Sequence, residues 1–478
     1  MKRGYCILAA VVVLIFAASL FAQPGNFGTS LHKTRYGKVY WYSADTSLTG
    51  APQPGAEAIT NVPIDSLGCT GCHPGDNLDA NGNPYPVPYP GADCVDCHAT
   101  NTTGWPVDQA QCYDCHGRAK TLRYSLGYED VHQTASTPLN CWDCHSTTDM
   151  HGDGTQYNSM LEPGANNADC AQSGCHETLP SGHSSHDPHN GKLHCTACHM
   201  KTNLACYSCH FESMVEHHVK RAKQPVHDFV ILVNRLKDGK VHPATFQSLT
   251  YQGKAWVAMA PQATHSITDN GRVCSDCHAN FGGQVDAIQQ YNSTGQIKFA
   301  TWNSSDSTLS WTHGIIPLPE NYRQAFKMDF ITFNGDPSSP AGPSKNWSFV
   351  KDTWDGFQLY FATPLNKEQM AKLGFDTTLV GIEEPQAGEM PTGFELAQNY
   401  PNPFNPTTTI RFTLPISANV SLKVFNVLGE EVATLLNGKQ TAGVHEVQFD
   451  ASNLTSGVYF YRLEGEGFSQ TKKMFLLK

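Results

Sequence analysis

The sequence predicts two unlike parts. The first is an irregular, loop-rich region of short helices with a small β-hairpin insert. The second is a C-terminal immunoglobulin-like β-sandwich. Three observations predict this division. Cysteine pairs closed by a histidine recur from Cys69 to His278, aliphatic runs are sparse between Cys69 and His210, and period-two hydrophobic runs set in after Phe394.

The cysteine motifs are Cys69/Cys72/His73, Cys94/Cys97/His98, Cys112/Cys115/His116, Cys141/Cys144/His145, Cys170/Cys175/His176, Cys195/Cys198/His199, Cys206/Cys209/His210 and Cys274/Cys277/His278. Seven are C-x-x-C-H; the fifth has four residues between its cysteines. With 17 Cys and 22 His in 478 residues, a shuffled chain would hold roughly 0.03 such matches. Sixteen of the 17 cysteines are used, and the remaining one, Cys6, precedes the motifs. Disulfide staples and zinc knuckles do not require a histidine after every second cysteine. The spacing reads as c-type haem attachment: two thiols bond the haem vinyls, and the next residue places its imidazole on the iron. The expected fold class is therefore a multihaem cytochrome c domain with a haem-packed core, holding eight covalently bound haem c. Aliphatic residues alone would give the region a weak core.

Residues 1–22 read as a signal peptide, with Lys2 and Arg3 before an apolar run too short for a membrane span. No later run approaches a transmembrane helix, so no transmembrane segment is expected after signal removal. The organisation expected from there is an octahaem domain over 23–280, a haem-free cap over 281–380 packed on it, a linker at 381–393 and the sandwich at 394–478. Asn437-Gly438 reads as one of the turns between the sandwich strands. The formal net charge of −11, to which haem propionates would add, argues against nucleic acid. Asp76, Asp79, Asn81 and Asn83 loosely resemble a Ca2+ loop, but the EF-hand pattern is absent and a polar turn competes. Phe229 to Leu236, the turn at 237–240 and Thr245 to Met259 read as the hairpin insert. The step of 11 from Cys195 to Cys206 predicts immediate contact between haems six and seven.

Histidines outside the motifs are candidate distal iron ligands: His132, His151, His183, His186, His189, His194, His217 and His265. His32 is weighed for the first haem against an ordinary surface role. Because His217 and His218 are adjacent, a helix would point them about 100° apart, and only one is expected to bind iron. Two basic clusters, Arg118/Lys120/Arg123 and Lys220/Arg221/Lys223, would suit an anionic substrate, or are solvated helix faces.

The segment from Leu193 to Phe375 resembles the octahaem tetrathionate reductase family. The residues that carry this are Leu193-His194-Cys195 through Cys198-His199-Met200, Ala205-Cys206 through Cys209-His210-Phe211, and Phe281-Gly282-Gly283. Tyr291 to Gly295 and Phe299 to Asn303 add to it. By motif order the resemblance reaches back to Ser66. It implies a redox partner, either a cytochrome or a quinol-linked electron donor. It also implies a small inorganic oxyanion or nitrogen substrate such as tetrathionate, nitrite or hydroxylamine. In that family one haem takes a displaceable lysine as sixth ligand, for which Lys120 and Lys192 are the candidates, each weighed against a solvated surface lysine. The competing functional reading is a non-catalytic electron conduit with every iron six-coordinate.

Tyr400-Pro-Asn-Pro-Phe404-Asn-Pro406, Ile410-Arg-Phe412, Val424 to Gly429 and Ser456 to Phe460 resemble the C-terminal sorting domain of type IX secretion. That resemblance implies the type IX secretion machinery as a partner and export to the cell surface or extracellular space.

Overall fold

The computed structural model describes residues 24–34, 36–44, 55–63, 92, 94–98, 107–172, 174–176, 186, 189, 191–217, 219, 221–339, 345–379, 394–397, 399, 404–465 and 468–477. The chain divides into two compact units, residues 1–40 with 64–181 and residues 41–63 with 182–478. The signal segment, motif one, the Ca2+-like run and the linker lie outside the described residues. Among the described residues no helix is long and apolar enough to cross a membrane.

In the first unit the motifs build the secondary structure. Cys94–Cys97, Gln109–Cys115 and Cys141–Cys144 are single short helices. Each closes when the motif histidine N–H donates to the carbonyl of the first cysteine, at 2.8 Å for His98 and His116 and 2.9 Å for His145. An i to i+4 bond of this kind sets the two thiols, three apart, on one helical face. The third motif residue is often aspartate, which caps the turn it sits in: Asp143 accepts from the Asn140 N–H at 2.6 Å. The four-residue gap of motif five closes in the same way, with His176 N–H donating to Cys170 O at 3.1 Å. Its extra residues form a turn through Gly174, whose φ of 85° suits glycine.

Cys175 is exposed and Cys170 half-buried; Cys94, Cys97 and Cys274, in motifs of ordinary spacing, are exposed as well. Within the longer loop Cys175 N–H donates to Gln172 O at 3.0 Å. Among the described residues the buried apolar side chains of this unit are Tyr40, Tyr113 and Leu122.

The second unit overturns the expected fold class. Among the described residues the structure is mostly β, 35% strand against 25% helix, in several sheets, with no helical multihaem core. Its centre is a seven-stranded sheet, not a hairpin insert. Gly356–Leu359, Lys254–Pro261, Val241–Tyr251, Phe229–Arg235 and Ala362–Thr363 run in that order. Cys209–His210 pairs beside Val241–Tyr251, and Gly314–Pro317 beside Phe229–Arg235. The residues around the predicted turn do form a hairpin, with Arg235 N–H donating to Lys240 O at 2.9 Å and Gly239 at φ 67°. A second tight turn, Gln252-Gly253 at φ 48° and 76°, joins Tyr251 to Lys254.

The physical reason for the correction lies in burial. Phe229 to Val233 and Ala255 to Pro261 are buried at every position, the pattern of strands covered on both faces. Phe229, Phe246 and Phe299 pack edge-on or tilted with centroids 5.0 to 5.9 Å apart. The helix Asp286–Thr294 adds Ile288 and Tyr291, and residues 297–375 contribute to the same cluster. The core of this unit is protein side chain, so porphyrin is not needed to fill it.

The C-terminal residues form two antiparallel sheets around a core of their own. One holds Glu395–Leu396, Thr407–Leu414 and Gly443–Asp450; the other holds Glu431–Gln440, Ala418–Phe425, Gly457–Gly465 and Phe468–Leu476. Alternation is regular: Thr408, Ile410, Phe412 and Leu414 face in. Tyr461 is fully buried, its hydroxyl donating to Ala397 O at 2.7 Å and accepting from Asn399 N–H at 2.8 Å. Asn437-Gly438, expected as a turn, lies inside a strand, with Gly438 opposite Val420.

Candidate functional site

Five motif histidines each face one histidine from elsewhere in the same unit. Ring centroids are 6.2 Å apart for His98 and His151, 6.2 Å for His116 and His32, and 6.1 Å for His176 and His132. In the second unit they are 6.3 Å for His199 and His186 and 6.2 Å for His278 and His189. The rings of each pair meet at interplanar angles from 21° to 71°. A metal bonded by one nitrogen of each imidazole at about 2.0 Å would fit between rings so spaced.

The second ring nitrogen is held in three of the pairs. His199 Nδ1 bonds Thr268 O at 3.0 Å, His278 Nδ1 bonds Lys372 O at 2.8 Å, and His132 Nδ1 bonds the Asp130 carboxylate at 2.9 Å. A carbonyl partner requires Nδ1 to carry the proton, which leaves Nε2 with its lone pair toward the gap. Burial lowers the pKa of His32, and burial followed by the nearby His98 lowers that of His151. Both shifts favour the neutral, ligating form.

Among the described residues the motif cysteines form no disulfide. Burial, then Cys115, pushes Cys97 up to about 11. Cys112 is raised and Cys141 lowered because the two thiols share a hydrogen bond. Burial, then the nearby Cys175, raises Cys144. Burial, then Cys198, pushes Cys277 up to about 12. Thiols of neighbouring motifs thus lie within electrostatic reach of one another: two and three, four and five, and six and eight, with three and four joined by the Cys112–Cys141 hydrogen bond. Exposed as it is, Cys175 stays on the side of its loop that faces motif four.

Other predicted residues fall elsewhere. Cys69, Cys72, His73 and His183 lie outside the described residues. His194 and His242 are both buried with centroids 4.3 Å apart, too close for a metal between them. His194 instead bonds Thr196 Oγ1 at 2.7 Å through Nδ1. Burial, then His194 and Arg235, takes His242 down to about 3. His217 stands on the surface 3.9 Å from Glu216, and His265 is exposed. Lys120 pairs with Asp114 at 3.4 Å, both sides about two-fifths exposed, and Lys192 is an exposed neighbour of Glu368. Neither lysine has a described place over a motif histidine. His145 sits 3.9 Å from Asp149.

Motif seven is built differently. Cys206 and Cys209 lie on strands, with Ser208 between them at φ 50°. The His210 ring stands edge-on to Phe333 and Trp347, Nδ1 bonds Ser213 Oγ at 2.8 Å, and Nε2 lies 3.3 Å from the Glu212 carboxylate. Arg221 is buried beside it, donating to Ser213 Oγ at 3.3 Å and stacking over Phe333 at 4.0 Å. Cys274 and Cys277 of motif eight lie near Cys198.

Among the described residues no three His, Cys, Asp or Glu side chains converge as a protein-only metal site requires. An iron porphyrin asks the protein for axial ligands and two thiols only. Paired thiols and two facing imidazoles would fit that demand at five motifs, and at motifs six and eight the Nδ1 bonds of His199 and His278 would leave Nε2 to ligate.

The two-sheet tail belongs to a recognised export module. Residues 398–477 match the family described as the secretion system C-terminal sorting domain. The tail is a type IX secretion sorting domain, and it marks the protein for export to the cell surface or extracellular space. The curated proteins contain no match to the chain. Among solved structures, PorZ, a surface component of the type IX secretion system of Porphyromonas gingivalis, is similar at 20% identity over 18% of this chain and 12% of its own, with a TM-score of 0.13. The Ig1 domain of mouse SynCAM 2 is similar at 15% identity over 15% of this chain and 80% of its own, with a TM-score of 0.12. The chain thus spans about an eighth of PorZ, and neither likeness carries an argument.

Proposed function

We propose that this protein is an exported multihaem c-type cytochrome that carries electrons outside the cell, with eight covalently bound haem c groups. Haem supplies one-electron iron chemistry when bound. The observation that carries the reading is the set of five histidine pairs at trans-ligand distance. Paired imidazoles saturate an iron, which suits electron transfer more than substrate binding, and favour low potentials relative to a methionine ligand. The partner is then a cytochrome or a quinol-linked donor.

A second reading rests on motif seven. There the described partner of His210 Nε2 is the Glu212 carboxylate, with the Arg221 guanidinium nearby. That arrangement would suit reduction of tetrathionate, nitrite or hydroxylamine at one haem. The ferric optical spectrum of purified protein tests both. Low-spin bands unaltered by nitrite or cyanide are expected for the electron carrier. A high-spin component that shifts on adding either ligand would move the assignment to the reductase. Absence of haem absorption would end both.

A further inference from the structure

We infer that motifs six and eight hold a contiguous pair of haem sites, with His186 the distal ligand at motif six and His189 the distal ligand at motif eight. The inference rests on the haem reading above and adds the ligand assignment and the neighbour relation.

Two histidines three residues apart reach two motifs whose own histidines are 79 positions apart in sequence (199 to 278). That requires the motifs to be close, and the backbone brings them together. Thr268 N–H donates to His199 O at 2.8 Å, and His199 Nδ1 returns a bond to Thr268 O at 3.0 Å. Arg272 N–H donates to Cys198 O at 3.1 Å, while its guanidinium reaches the carbonyls of Met200 and Lys201, both at 2.8 Å. Cys274 follows two residues later. Gly271 is the closest approach: a Cβ there would stand 3.3 Å from His199 Cε1. The chain between, residues 205–261, forms the central sheet and returns to the point it left. Motif seven, only 11 residues beyond motif six, instead directs His210 toward Phe333 and Trp347.

The test uses full-length holoprotein carrying His186→Ala, His189→Ala or both, read by ferric electron paramagnetic resonance. Each single variant should gain high-spin signal equal to one haem, and added imidazole should restore the low-spin form. The double variant should gain two high-spin haems whose signals broaden each other. His186→Met and His189→Met, which leave a ligand in place, should each stay low-spin and gain a thioether-to-iron charge-transfer band; they decide the matter if an alanine variant fails to fold. Haem-loaded variants whose spectra match wild type would overturn the ligand assignment. Two high-spin haems without mutual broadening would overturn the adjacency. A wild-type chain without haem would instead remove the cytochrome reading itself.

Discussion

A chain lacking residues 394–477 is expected to accumulate inside the outer membrane, with its surface and extracellular fractions falling to background. The sorting domain is a self-contained fold. Leu422, Val424, Phe412, Tyr461 and Met474 pack with one another, and the cluster around Phe229 and Phe299 contains none of these residues. Removing the tail therefore uncovers no part of the larger core, and loss of export will not be a secondary effect of misfolding. Leu422→Asp provides a full-length comparison. Leu422 is fully buried, and an unpaired carboxylate there costs several kcal/mol. The variant should be retained like the truncation. Immunoblotting of cell fractions checks both; a tailless chain that still reached the surface would contradict the role of the sorting domain.

Phe246→Ala should destabilise the second unit by about 3–5 kcal/mol. The ring is 1% exposed and lies between Phe229 at 5.9 Å and Phe299 at 5.0 Å, with Tyr207 edge-on at 6.3 Å. Its loss opens a cavity where the seven-stranded sheet meets the smaller sheet of Ile297–Asn303. Phe349→Ala is the matched control, because that ring is 50% exposed and its removal should change stability by less than about 0.5 kcal/mol. Urea unfolding followed by tryptophan fluorescence measures the difference. Equal effects would mean that packed side chains do not hold this unit together.

Much of the site is legible in sequence, and much of the fold is not. Adjacency of cysteine and histidine is a covalent requirement, so it survives in the linear chain, as does the period-two pattern of Thr407–Leu414. Pairing between distant histidines leaves no such trace. His32, weighed for the first haem against an ordinary surface role, faces His116, while motif one lies outside the described residues. His194 lies in a dense run of histidines, and its ring stands 4.3 Å from that of His242. Nothing local distinguishes it from His186 or His189. The central sheet is missed for another reason. Phe229 to Val233 and Ala255 to Pro261 carry the continuous apolar signature of a doubly covered strand. Flanked by motifs seven and eight, they read as an insertion, whereas they are the centre of the unit.

The intact mass of the mature, purified protein tests the central claim most directly. Eight haem c groups should add eight haem masses to the polypeptide, and peptides spanning Cys94–His98 and Cys274–His278 should each carry one. A mature chain at its bare polypeptide mass would contradict the account.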